Sequence, residues 1–239
     1  MFQALLAVSP MQLLGVHVYL LELDKAPSNP GVLGAFLDEH EKKGAASLRS
    51  PDRRRRFMVG RAALRCILST HGGGSVPESH WRFAFSEHGK PYVCSSQDSR
   101  SGQTSHPFFN LSYATGLVAI AMADTVEVGI DIEIGQAFPR DQIPWHLFAE
   151  REQGLLRATA PEDFWSAFMR LWTLKEAIAK RTGQGFATEF NEIDTTVLPV
   201  IDGLDRIPAD PQAEPALCHL SLTLPKGAVH LSVSTAPVV

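Results

Sequence analysis

The sequence predicts an α+β protein built as two halves of similar layout. Three observations carry this. A helical pattern begins at Ser50-Pro51-Asp52. A polar stretch without periodicity, 95–106, divides the chain. A second helical pattern, from about Ala160, follows a run of strand patterns. Each half reads strand, helix, then more strands, and no sequence repeat joins them. The expected division is residues 1–106 and 107–239.

The first strand is expected over 16–23, before a Pro/Gly/Asn turn at 27–31. Ser50 reads as an N-cap and Pro51 as the first helical residue. This helix should run to about Thr70 and stop at Gly72-Gly73-Gly74. Phe57, Leu64, Ile67 and Leu68 give it a buried stripe, with Gly60 on the same side. Arg54, Arg61 and Arg65 are expected along one flank. Trp81, Phe83 and Phe85 alternate as a strand with one buried face, and 87–91 is a turn. In the second half, strands are expected near 108–112 and over 117–123. The stretch 126–134 should be the hairpin partner of the latter. Thr159-Ala-Pro-Glu162 fits a capping box for the second long helix, and Gly183 is its stop. The tail offers strands at 217–224 and 228–233.

Composition sets the class. With 44% hydrophobic and 20% charged residues, the chain is an ordinary globular protein with a substantial core. A net charge of -4 argues against general nucleic-acid binding. Cys66, Cys94 and Cys218 match no zinc or disulfide spacing, which favours a reducing, cytoplasmic setting. The apolar N-terminal stretches lack a basic n-region and are not read as a secretory signal. No apolar run reaches the roughly 18 residues that a membrane span needs.

The chemistry concentrates in two apolar segments. Asp131 and Glu133 are two apart, so on a strand they share a face, while Val128, Ile130, Ile132 and Ile134 take the other. Trp172, Glu176 and Lys180 are spaced by four and stack along one helical stripe. Charge in such segments is costly without a partner. Two strand carboxylates and one helix carboxylate can make an all-oxygen Mg²⁺ site with room for water and phosphate.

Several blocks together resemble the surfactin-synthetase type of 4'-phosphopantetheinyl transferase. They are Arg56-Phe-Met-Val-Gly-Arg61-Ala-Ala-Leu-Arg65, Gly89-Lys90-Pro91, Phe109-Asn110-Leu-Ser112, Val128-Gly129-Ile-Asp131-Ile-Glu133 and Leu171-Trp172-Thr-Leu-Lys175-Glu176-Ala-Ile-Ala-Lys180. Their order and spacing, more than any one block, make the match specific. The resemblance implies two similar α/β subdomains related by pseudo-twofold symmetry, with the active site between them. It implies coenzyme A as donor and an apo acyl or peptidyl carrier protein as acceptor. The products would be the holo carrier and adenosine 3',5'-bisphosphate.

On that resemblance, Asp131, Glu133 and Glu176 hold Mg²⁺, with Mn²⁺ also compatible with oxygen ligands. Glu176 serves as, or positions, the base for the carrier serine, directly or through water. Lys180 acts on the leaving phosphate. Arg56, Arg61, Lys90 and Pro91 belong to the nucleotide end of coenzyme A, with Ser112 and Lys175 as phosphate contacts. Glu152 matches another acidic position of the family. Tyr113 stands where the family usually has histidine, so the 3'-phosphate should lean more on Arg56 and Lys90. Both halves of the site lie in one chain, so a monomer without nucleic-acid or membrane partners is expected. The alternative is a non-catalytic module that binds coenzyme A or a carrier, and Tyr113 is the residue that suggests it.

Overall fold

The computed structural model describes residues 10–71, 76–96, 106–135, 138–185, 189–198, 200–203, 217–225 and 227–235. The expected stop at Gly72-Gly73-Gly74 and most of the polar stretch 95–106 lie outside them. The elements are β1 (Met11–Leu13), β2 (Val16–Glu22), α1 (Pro30–Gly34), α2 (Glu39–Ser47), α3 (Pro51–His71), β3 (Trp81–Phe85) and β4 (Pro91–Ser96). Then follow β5 (Phe108–Ala114), β6 (Leu117–Ala123), β7 (Val128–Ile134), α4 (Glu150–Ala158), α5 (Phe164–Thr182), β8 (Val200–Asp202), β9 (Leu217–Leu224) and β10 (Gly227–Thr235).

The fold is mixed α/β, and its main layers run helix, sheet, sheet, helix. One sheet has the order β1-β2-β6-β5 and is antiparallel throughout. The other has the order β7-β10-β9-β8, parallel only between β8 and β9. Strands β3 and β4 form a separate hairpin. Helix α3 covers the outer face of the first sheet, where Val59, Leu64 and Leu68 meet Leu21, Ile120 and Met122. Between the sheets, Val18, Ala119 and Ala121 pack on Val128, Ile130, Leu231 and Val233. Helix α5 lies on the outer face of the second sheet, against β7 and β10.

Helix α3 starts as its sequence predicts, with the Arg53 N–H donating to Ser50 Oγ at 3.4 Å. It is buried far beyond one stripe, because α1 and α2 also pack on it. The flank that carries Arg61 and Arg65 is therefore interior. Arg65 is charge-matched by Asp38 and Glu41, each at 2.7 Å.

Two local expectations are corrected. The stretch 126–134 does not form a hairpin with β6: β6 pairs with β2 and β5, while β7 pairs with β10. Both strands are apolar enough to be buried between layers, and periodicity cannot say which partner each takes. The second long helix starts later than expected, at Phe164 and without the capping box of Thr159 and Glu162, and a short helix that the sequence reading did not give, α4, precedes it. Thr159 closes α4, its hydroxyl donating to the Leu155 carbonyl, and α5 begins after the turn at 161–163. The first sheet takes β1 and β2 from before residue 106 and β5 and β6 from after it. Sheet membership thus crosses the expected division of the chain.

Candidate active site

The site forms where β5, an edge strand of the first sheet, meets β7, an edge strand of the second. No backbone ladder joins them. Instead the Asn110 Oδ1 accepts the Ile130 N–H at 3.0 Å, and Ser112 Oγ accepts the Ile132 N–H at 3.3 Å. Side chains of β5 thereby satisfy the open edge of β7. The alternation of β5 puts Asn110 and Ser112 on this face and sends Phe109, Leu111 and Tyr113 towards α3.

On β7, Asp131 and Glu133 face α5, with Gly129 on the same side. The approach of helix to strand is close. A Cβ on Gly129 would lie 2.0 Å from the Ala177 carbonyl oxygen and 2.4 Å from the Arg181 nitrogen. Only glycine fits, and its absence of a side chain brings Glu176 and Lys180 beside the strand carboxylates.

Lys180 donates to Asp131 Oδ1 at 2.6 Å and to Ser112 Oγ at 2.9 Å. Ser112 in turn donates to Asp131 Oδ1 at 2.8 Å. The hydroxyl thus uses its one donor and both acceptor positions. Asp131 is 3% exposed, and its second oxygen, Oδ2, has no partner.

The other two carboxyls are held away from their ordinary acidity. Burial pushes Glu133 up to about 7, the neighbouring Asp131 and Glu176 adding to the effect and Lys180 opposing it. Burial also raises Glu176, again with Asp131 adding and Lys180 opposing. Among the described residues no three His, Cys, Asp or Glu side chains stand at metal-holding spacing. Lys180 supplies positive charge at Asp131.

Comparison with known proteins decides what this constellation belongs to. The model of the 4'-phosphopantetheinyl transferase superfamily matches residues 127–215. The 4'-phosphopantetheinyl transferase HetI of Nostoc sp. is 33% identical over 208 residues, 87% of this chain and 82% of the relative. The chain belongs to the 4'-phosphopantetheinyl transferase superfamily. The transferase AcpT of Salmonella typhimurium is 33% identical over 150 residues, 61% of this chain and 67% of its own length. The transferase Sfp of Bacillus subtilis is 27% identical over 172 residues, covering 65% and 71%.

In this transferase the residues picked out from sequence fall in three places and in the interior. Ser112, Asp131, Glu133, Glu176 and Lys180 are brought together. Lys90 and Pro91 stand apart, lining a cleft of about 580 Å³ with Phe108, Phe109, Arg181 and Gly183. Arg56 lines a different recess, of about 390 Å³, with Asp52, Arg55 and the β5–β6 turn at Thr115 and Gly116.

Four of the residues picked out from sequence are turned away from the cluster around Asp131. Lys175 is 0% exposed, paired with Glu152 at 2.7 Å and donating to the Phe190 and Ile193 carbonyls. Adjacent to Glu176 in sequence, it lies about 100° away around the helix. It therefore has no access to a phosphate. Glu152 is equally buried and accepts from Ala149 and Thr195 as well, so its charge is spent on the fold. Arg61 lies under Phe57 and Phe83, with Glu41 at 3.7 Å. Tyr113 packs on α3, where a Cβ on Gly60 would come within 2.4 Å of its hydroxyl oxygen. Burial raises the phenol above its usual 10, so it stays protonated at neutral pH.

Gly129 was legible only as part of a motif. A glycine inside an apolar strand is the signal for close backbone approach, and here the approaching backbone is α5.

Proposed function

We propose that this chain transfers the 4'-phosphopantetheine arm of coenzyme A to the serine hydroxyl of an apo carrier protein. The reading is carried by Lys180, placed between Ser112 and an Asp131 whose second oxygen is buried without a partner. A buried carboxylate oxygen with no donor calls for a cation. Glu133 and Glu176, both raised, share that demand. The donor set is all oxygen, the kind that suits Mg²⁺, and Asp131, Glu133 and Glu176 would hold it once drawn closer together than they stand here. When bound, Mg²⁺ would neutralise the diphosphate of coenzyme A.

The chain's own groups divide the remaining work. Glu176 is half-buried, with a carboxyl that burial makes a better proton acceptor than usual, and receives the proton from the carrier serine. Lys180 holds a fixed ammonium beside the site and stabilises charge that develops on the leaving phosphate. Binding phosphate costs Lys180 its bond to Ser112, which frees an acceptor position on the hydroxyl while its one proton stays on Asp131. The cleft at Lys90 and Pro91 takes the nucleotide end of coenzyme A, its Phe108 and Phe109 wall suiting a planar ring.

Intact mass spectrometry tests this reading on a panel of apo carriers incubated with coenzyme A and Mg²⁺. A gain equal to the phosphopantetheine arm is expected, lost with EDTA and with Glu176→Gln. Binding of coenzyme A without transfer to any carrier would point to a non-catalytic module.

A further inference from the structure

One side chain fastens the β3–β4 hairpin to the C-terminal end of α5. Lys90 donates to the Arg181 carbonyl at 2.7 Å and to the carboxylate of Glu127. Its stem lies along Gly183, where a Cβ would come within 3.2 Å of the lysine Cδ. The Lys90 side chain is 14% exposed, whereas that of Glu127 is 49% exposed. The ammonium is thus held inside the cleft wall, and the carboxylate sits at the mouth.

The two acceptors of Lys90 are not equivalent. The Arg181 carbonyl belongs to the last turn of a long helix, where a cation is favoured by the helix dipole. Glu127 offers a single negative charge at a wet surface, where water screens the pair and holding the side chain costs entropy. A phosphate monoester brings up to two negative charges and three acceptor oxygens to the same ammonium. In an exchange for Lys90, the carboxylate yields.

We propose that Glu127 is a placeholder for phosphate: from the mouth of the cleft it holds the Lys90 ammonium in the wall, and it is displaced when the 3'-phosphate of coenzyme A arrives. The inference rests on the assignment of this cleft to the nucleotide end of the donor. Glu127 acts through Lys90 and is a positioning residue. Its charge keeps Lys90 in place while the cleft is empty, and it lowers affinity for donors that must displace it. A donor without the 3'-phosphate leaves the pair intact and does not meet this competition.

Calorimetric titration of the full chain with coenzyme A and with 3'-dephospho-coenzyme A tests the exchange. Glu127→Gln is expected to tighten coenzyme A by about two- to five-fold, the range set by a surface ion pair. It should leave dephospho-coenzyme A unchanged, and the KM for coenzyme A should fall by the same factor. Glu127→Asp should keep the wild-type ratio of the two affinities. Equal changes for both donors would make Glu127 a purely structural staple and overturn the proposal. So would unchanged coenzyme A affinity in Glu127→Gln while Lys90→Met weakens it. If Lys90→Met leaves coenzyme A binding untouched, the assignment of the cleft itself fails.

Discussion

Gly129 and Ala177 are in backbone contact: no side-chain carbon fits between the strand residue and the helix carbonyl. The pairing of α5 with β7 at this point sets how near Glu176 and Lys180 come to Asp131. Gly129→Ala must push the helix outward. Overpacking of this kind costs about 1–3 kcal/mol, and more where backbone has to give. Urea denaturation should show that loss, and transfer activity should fall further than the folded fraction accounts for.

Lys180→Met should remove the fixed charge beside Asp131 and leave a buried carboxylate without its partner. The transfer rate is expected to fall by about 10²–10³-fold, the usual cost of losing a preorganised electrostatic contact. Glu176→Gln should lower it by about 10²–10⁴-fold if the carboxyl takes the serine proton. Single-turnover measurements at saturating coenzyme A check both. Retention of wild-type rates in either variant would remove that residue from the chemistry.

Glu133 ties stability to pH. Its folded-state value of about 7 exceeds the ordinary 4.5, so the folded protein favours the protonated form. The contribution is fully present below about 4.5 and is lost as pH rises through about 7. Metal-free protein should therefore lose melting temperature on this account between pH 5 and 8. Mg²⁺ should restore more of it at pH 8 than at pH 5.5. Differential scanning fluorimetry with and without Mg²⁺, repeated on Glu133→Gln, reads the slope, which the variant should flatten.

His219 works in the opposite direction. Burial, helped by His230 and Arg170 and opposed by Asp202, lowers its ring to about 3 from 6.5. Its neutral ring sits 2.9 Å from Ser232 Oγ and stacks on His230. The unfolded chain binds the proton more tightly, so stability is present above about 6.5 and is lost as pH falls towards 3. Melting curves of His219→Asn between pH 4 and 7 should be shallower than those of the parent.

Lys175→Met should separate fold from chemistry. Breaking a buried ion pair by removing one partner costs about 3–5 kcal/mol. The variant should be strongly destabilised, yet its folded fraction should bind coenzyme A with unchanged affinity. A weakened affinity would return Lys175 to the donor site.

Much of this was legible from spacing. The period of two at Asp131 and Glu133 and the period of four at Glu176 and Lys180 placed these groups on the faces that meet. The same reasoning put Asn110 and Ser112 on one face of β5. It could not say that they bond the edge of β7, because that depends on which sheet β7 joins. Lys175 was misread because sequence adjacency to Glu176 means little on a helix. The burial of Arg65 was not legible, because its partners, Asp38 and Glu41, lie in another helical segment. Their Asp-x-x-Glu spacing signals a cap, which they also form. Glu127 carried no signal, since its role follows from the fold alone.

The seam between β5 and β7 has a consequence for what the site depends on. Each sheet completes its own ladder. The chemistry is assembled only when Asn110 and Ser112 engage β7, a contact between partners some 20 residues apart. The active constellation therefore depends on the packing of one sheet against the other and not on either sheet's own ladder.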